Sequence, residues 1–245
     1  MVIYLRCLTN LNISIMSQKN ICFIPLRRGS KSIAKKNWKV LYGKPLFCWI
    51  LDSVLESGIS DEIWIATDSP EIKDIAREKY NGRVSIFDRS TKNAQDTSVT
   101  LDVVLEFLTE YNSKENRDYM ILLQATSPFT SVSELKALSA MISENKYDSI
   151  IACCRLRKFR WDESGFPLDY SLDQKPPRTQ DYKGFLVASG SFYVSRIADI
   201  LKSGQLLSGE IGIFEVNPKA GIDIDDEFDW KMAETYLQLC NGIIT

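Results

Sequence analysis

A chain of 245 residues, 44% hydrophobic and 25% charged, has the composition of an ordinary globular domain, which excludes disorder and collagen-like repeats. Lysine and arginine number 30 against 32 acids, a net charge of −2, so bulk nucleic acid and anionic membrane are excluded as main partners and any phosphate chemistry is local. There is no histidine, which removes the Ser-His-Asp triad, the Cys-His dyad, His-ligated zinc and any imidazole base.

Residues 1–18 read as an N-terminal extension, disordered and dispensable up to about Met16. Its apolar part carries Arg6, Asn10 and Asn12. It therefore matches neither a membrane span, which needs roughly 20 apolar residues, nor a secretory signal. The six cysteines (Cys7, Cys22, Cys48, Cys153, Cys154, Cys240) form no Cys-x-x-Cys pair. They suit core filling in a reducing cytoplasm better than a zinc ribbon or redox motif.

From Lys19 onward, short β-branched or aromatic runs alternate with amphipathic stretches. Strands are expected at 21–26, 62–66, 83–87, 119–123, 149–153, 190–194 and 211–216. Helices are expected at 45–57, 70–80, 99–111, 133–145, 195–202 and 226–239. This alternation predicts an α/β protein with a mostly parallel sheet, residues 19–245 forming one domain. Ser133, followed three residues later by Lys136, gives half of a helix-cap signal.

Behind the first strand lies a basic loop, with six cations and no acid in the thirteen residues from Arg27 to Lys39. At the carboxyl end of a first α/β strand such a loop suits a polyphosphate. Gly29 allows close backbone approach, Ser30 and main-chain amides donate hydrogen bonds, and the cations neutralise charge. The plainer reading is a solvated basic loop. Neither G-x-x-x-x-G-K-[ST] nor G-x-G-x-x-G occurs, which disfavours a P-loop NTPase and a dinucleotide-dependent dehydrogenase.

Alternation fails over residues 155–183, where Trp161, Phe166, Tyr170, Tyr182 and three prolines follow neither period. This is an insertion with a job. It is read as an arm packing on a second subunit, the alternative being a hairpin folded onto its own domain.

Near the C-terminus, five acids fall in the seven residues from Asp223 to Asp229. In an extended segment Ile222 and Ile224 point one way while Asp223 and Asp225 point the other. Two adjacent carboxylates suit Mg²⁺ completed by substrate phosphates. Acids at a helix start also favour its dipole, the reading preferred for Asp226, Glu227 and Asp229.

Three motifs in order, R-x-G-S-K-x-x-x-x-K-N (27–37), L-Q-x-T-S-P (123–128) and I-D-I-D-x-E-x-D (222–229), resemble the acylneuraminate cytidylyltransferases, or CMP-sialic acid synthetases. The resemblance spans about residues 20–240. It implies a nucleotide-diphospho-sugar-transferase-like three-layer α/β/α sandwich with a small dimerisation arm at 155–183. The implied activity is transfer of CMP from CTP to the anomeric hydroxyl of a nine-carbon 2-keto sugar acid, a nonulosonic acid. The chain is then a cytoplasmic homodimer using Mg²⁺ or Mn²⁺.

By the resemblance, Arg27, Gly29, Ser30, Lys31, Lys36 and Asn37 form the nucleotide loop, with the lysines on the triphosphate and Asn37 near base or ribose. Arg89, Thr97 and Thr100 fall at the nucleotide. Gln124, Arg178 and Tyr193 fall at the sugar acid, and Asp223 and Asp225 at the metal. Lys31, Arg27 and the two aspartates carry the catalytic roles. Gln124 could equally cap a turn, Tyr193 fill core and Arg178 pair with Asp181. Ser189-Gly190 stands where the family commonly has Asn-Gly, and Ala125 where it has proline. An eight-carbon acid, 3-deoxy-manno-octulosonate, is the rival substrate, disfavoured because Ser32-Ile33-Ala34 replaces an Arg-Leu-Pro element. A non-catalytic nucleotide-binding homologue is the rival from another class.

Overall fold

The computed structural model describes residues 18–94, 99–111 and 118–240. The expected extension, apart from residue 18, and the site residue Thr97 lie outside these.

The strands are β1 (Asn20–Pro25), β2 (Val40–Leu41), β3 (Lys44–Pro45), β4 (Glu62–Thr67), β5 (Ser85–Asp88), β6 (Tyr119–Leu123), β7 (Ser149–Leu156), β8 (Phe185–Arg196) and β9 (Ile211–Glu215). The helices are α1 (Leu46–Ser57), α2 (Pro70–Tyr80), α3 (Thr100–Glu110), α4 (Val132–Ser143), α5 (Ile197–Ser203) and α6 (Glu227–Cys240). Seven strands form one sheet in the order β5-β4-β1-β6-β8-β7-β9. Only β8 runs against its neighbours β6 and β7. The other contacts are parallel.

Period-two alternation builds the layers. On one face Cys22 and Ile24 of β1, Ile121 of β6 and Phe192 of β8 pack under α1, α2 and α4. On the other, Ile21 and Phe23 meet Val103, Phe107 and Ile200 of α3 and α5. Phe107 anchors that side, its ring 4.8 Å from Phe23 and 5.3 Å from both Trp64 and Phe87. Each such pair adds about 0.5–1.5 kcal/mol beyond area burial. A third cluster joins Ile33 of the basic loop to Ile224, Trp230 and Leu237, so α6 is packed beneath the first loop.

Several boundaries differ from expectation. A small β2–β3 hairpin precedes α1, and Pro45 belongs to it rather than to the helix. The α4 cap is Ser131, two residues earlier than Ser133, in a box with Glu134: the Ser131 hydroxyl accepts the Glu134 amide while Glu134 accepts the Ser131 amide. Strand β8 starts at Phe185, five residues early, because it bulges opposite Ala152, where pairing jumps from Ile151↔Tyr193 to Cys153↔Ala188.

Between β7 and β8 the expected arm is irregular apart from a bridge between Trp161 and Pro167. Phe159 packs against Tyr170 and Tyr182 at 5.3 and 5.0 Å, and Arg160 pairs with Asp169 at 2.7 Å. Part of the arm's aromatic content is thus folded on itself, while Trp161, Phe166, Leu168 and Leu172 stay exposed.

Candidate active site

The site forms where β1 runs out. The ladder continues one step, Leu26 N–H donating to the Ala66 carbonyl at 2.8 Å, and then the basic loop leaves the sheet. It returns through a 3₁₀ turn, Lys36–Trp38, entered by Lys35 in the left-handed region at φ 60°. Buried Asn37 closes the loop, its side-chain amide donating to the Arg27 carbonyl at 2.9 Å.

Arg27, Gly29, Ser30, Lys36, Asn37, Arg89, Thr100 and Gln124, all singled out in the sequence, line one cleft with about 150 Å³ of free space. Pro25, Val103 and Thr126 complete the lining. The strand ends and the start of α3 therefore bring together residues up to 101 positions apart, from Pro25 to Thr126. Gln124 is fixed by its backbone, whose N–H donates to the Ser191 carbonyl of β8 at 3.1 Å.

The electrostatics of the cleft favour an anion. Burial pulls the Arg89 guanidinium below its ordinary value, and Arg27 pulls the same way, against Asp68 and Glu106. Arg89 remains cationic at neutral pH, as arginine does. Its Nε–H is buried without a hydrogen-bond partner. A buried donor left this way costs about 1–3 kcal/mol, which a phosphate oxygen would recover.

The acidic segment crosses the far side. Ile224 N–H donates to the Thr126 carbonyl at 2.8 Å. Lys36 Nζ donates to the Ile224 carbonyl at 2.8 Å and lies 3.3 Å from Asp225 Oδ1. The Ser32 hydroxyl donates to the Asp225 carbonyl. Three groups thus tie the first loop and the Gln124 turn to this segment.

Asp223 and Asp225 are not equivalent. Asp223 turns inward against the β8 bulge, and burial pushes its carboxyl above the usual carboxylate range, with Thr126 opposing and Asp225 reinforcing. Its Oδ1 is buried with no hydrogen-bond partner. Gly190 makes the space: at φ +78° it adopts a conformation that favours glycine, and a Cβ there would lie 3.2 Å from Asp223 Oδ2. The Asp225 side chain is 77% exposed.

Asp226 and Asp229 instead cap α6. Asp226 Oδ1 accepts from Phe228 and Asp229 N–H, and Asp229 Oδ2 accepts from Asp225 and Asp226 N–H. Glu227 takes Lys39 at 3.2 Å. Among the described residues no three metal-type side chains gather into one cluster. A divalent ion on Asp223 and Asp225 would therefore complete its shell with ligand oxygens, the arrangement Mg²⁺ usually adopts. The partnerless Asp223 Oδ1 fits that demand.

Other expected residues lie apart from the cleft lining. Lys31 is on the exposed rim of the loop. Arg178 is on the arm, paired with Asp181 at 2.6 Å. Tyr193 faces the α3–α5 side, beside Leu122 and Ile151 in the sheet. Two residues were not singled out. Thr126, inside the quoted 123–128 motif, lines the cleft and favours the charged form of Asp223. Asp68 carries no motif signal and matters only through contacts made across 40 residues.

A cationic cleft at the carboxyl edge of a mostly parallel sheet, with buried Asp223 behind its Thr126 edge, is the place where an α/β sheet takes an anionic ligand. A family model described as cytidylyltransferase matches residues 21–184, and the chain belongs to that family. N-acylneuraminate cytidylyltransferase A of Danio rerio is 33% identical over 216 residues, covering 85% of this chain and 48% of that protein. Pseudaminic acid cytidylyltransferase of Campylobacter jejuni is 28% identical over 225 residues, 88% of this chain and 95% of that one. Among solved structures, CMP:2-keto-3-deoxy-manno-octonic acid synthetase complexed with CTP superposes with a TM-score of 0.63 at 19% identity, covering 91% of this chain and 99% of that one. That likeness bears out the nucleotide-diphospho-sugar-transferase-like fold. The chain spans about half the length of the Danio rerio relative. Among the described residues no helix is long and apolar enough to cross a membrane.

Proposed function

We propose that this chain transfers CMP from CTP to the anomeric hydroxyl of a nine-carbon 2-keto sugar acid and releases pyrophosphate. The observation that carries the reading is an anion-seeking cleft, lined by Arg27 and by Arg89 with its partnerless Nε–H, whose Lys36 and Thr126 edge adjoins buried Asp223 with its partnerless Oδ1. The names of the relatives, which act on acylneuraminate or pseudaminic acid, support the nine-carbon class, and a CTP complex in a protein of the same fold supports the nucleotide.

The chain's part in the reaction is alignment and charge neutralisation rather than covalent chemistry. Arg27, Arg89 and Lys36 surround the triphosphate and stabilise the charge that builds on departing pyrophosphate, with Lys31 reaching in from the rim. Gly29 and Ser30 allow the phosphates close to the backbone, while Asn37 holds the loop shut through Arg27. Thr100, in the cleft lining, serves the ribose, a role that the resemblance alone extends to Thr97. Gln124 of the cleft reads the sugar acid, and the same role for Arg178 and Tyr193, which lie apart from the cleft lining, rests on the resemblance alone. Asp223 and Asp225 would hold Mg²⁺ or Mn²⁺, which would supply Lewis-acid polarisation of a phosphate oxygen.

This reading includes a homodimer formed through the arm, whose exposed Trp161 and Phe166 are the residue types enriched at interfaces. It places the protein in a reducing cytoplasm, with Cys22, Cys48, Cys153, Cys154 and Cys240 all free thiols. The test is pyrophosphate release from CTP and Mg²⁺ across a panel of eight- and nine-carbon 2-keto sugar acids, with ATP, GTP and UTP as controls. Release with a nine-carbon acid and CTP alone supports the reading. Release with 3-deoxy-manno-octulosonate alone moves the chain to the eight-carbon class.

A further inference from the structure

Asp68 sits in the two-residue connection between β4 and α2, outside every motif quoted above. Its neighbours are rigid: Thr67 and Ser69 are fully buried, Ser69 N–H donates to Thr67 Oγ1 at 3.1 Å, and the Ser69 hydroxyl accepts Ile72 N–H at 3.3 Å to cap α2. Strand β4 is in register with β1 up to Pro25↔Ala66, so the Asp68 carboxylate is delivered beside the first turn of the basic loop.

There it makes two contacts of different kinds. Asp68 Oδ1 accepts the Arg28 N–H at 2.7 Å. Arg28 is also held by its side chain, at 3.0 Å from Glu71 Oε1, while the other Glu71 oxygen accepts the Ser69 hydroxyl at 2.7 Å. Arg28 thus faces away from the cleft and anchors the turn whose neighbours Arg27, Gly29 and Ser30 line it. The second contact is through charge: Asp68 favours the cationic form of Arg89, which Arg27 disfavours.

We infer that Asp68 is a positioning residue for the triphosphate wall: its accepted hydrogen bond sets the shape of the turn at residues 27–30, and its charge tempers the attraction of Arg27 and Arg89 for an anion. The inference rests on the CTP reading above. It separates two effects that one side chain usually mixes. An asparagine keeps the acceptor and removes the charge that repels phosphate. A glutamate keeps the charge and carries the acceptor about one methylene further out.

The experiment is CTP binding by calorimetry, and turnover, for the full chain and for Asp68→Asn, Asp68→Glu and Asp68→Ala. Expected is that Asp68→Asn binds CTP as tightly as the parent or a few-fold tighter, on the order of one removed surface charge. Asp68→Glu and Asp68→Ala weaken CTP binding about tenfold or more, the loss of one charge-assisted contact, and raise KM for CTP with KM for the sugar acid unchanged. Parent-like binding by Asp68→Glu, or Asp68→Asn as weak as Asp68→Ala, overturns the role of Asp68 while leaving the CTP reading intact. If the folded parent fails to bind CTP, the reading and the inference fall together. Asp68→Asn and Asp68→Glu keep a polar side chain at a half-exposed position, so the comparison survives if Asp68→Ala does not fold.

Discussion

Lys36 and Asp225 join the two halves of the site: the lysine Nζ lies 3.3 Å from Asp225 Oδ1 while donating to the Ile224 carbonyl at 2.8 Å. The lysine side chain is only 12% exposed and the aspartate 77%, so the cation is fixed and the carboxylate is free to reorient. A residue of the basic loop thus presents the acidic segment to the cleft. Losing Lys36 should disturb both nucleotide and metal binding.

Asp225→Ala should cost on the order of 10²-fold or more in turnover, with Tm close to the parent because its side chain is exposed. Steady-state pyrophosphate release with a thermal melt checks both. Near-normal turnover would remove Asp225 from the metal assignment.

Gly190→Ala acts on the same centre from behind. Its φ of +78° disfavours a side chain by about 1–2 kcal/mol, and the new methyl meets Asp223 Oδ2 at 3.2 Å. The variant should melt several degrees lower and lose activity out of proportion to the stability change. Urea unfolding and turnover on the same preparation test this.

Arg89→Leu removes a cation whose Nε–H lacks a partner. Native stability should hold or rise slightly, whereas KM for CTP should rise about tenfold or more, as expected for one charge-assisted phosphate contact. An unchanged KM would separate Arg89 from the nucleotide.

In the arm, the Arg160 guanidinium and backbone hold the Asp169 carboxyl well below its usual 3.8. A depressed folded value means stability that is present above about 3.8 and lost as pH falls toward the folded value. Amide exchange over the arm should therefore be faster in Asp169→Asn than in the parent at pH 7, and the difference should begin to shrink as pH falls below about 3.8 and go on shrinking toward the folded value. A difference that does not shrink at all below about pH 3.8 contradicts the pairing.

Burial pushes the Cys22 thiol up to about 12. At pH 8 its thiolate is about one part in 10⁴, and since the thiolate is the reactive form, Cys22 should resist a maleimide that labels exposed Cys240. Peptide mass spectrometry distinguishes the two.

Which features were legible in the sequence follows from how local their causes are. The unbroken apolar run Ile21, Cys22, Phe23, Ile24 marks a strand buried on both faces, and a layer on either side follows. The basic run announced the cleft's first loop, and the acidic run the segment tied to it through Lys36 and Thr126, because each run is contiguous. Ser131 stands three residues before Glu134, the capping-box spacing, so the cap was legible in the sequence, where Ser133 before Lys136 offers only half of the signal. The bulge at Ser189–Ser191 exists to admit Asp223, more than thirty positions on, and no periodicity within β8 encodes that. Asp68 escaped for the same reason: its value comes from Arg28 and Arg89, on other loops.

CMP transfer in the Arg89-lined cleft, whose Thr126 edge adjoins Asp223, is the reaction at stake. It is tested most directly by ³¹P NMR of the protein with CTP, Mg²⁺ and N-acetylneuraminate or pseudaminic acid. The account predicts a new CMP–sugar phosphodiester signal and inorganic pyrophosphate growing in equal amounts, absent without the sugar acid and lost in Asp223→Asn. Intact CTP with every nine-carbon acid, in protein shown to be folded and to bind CTP, would contradict it.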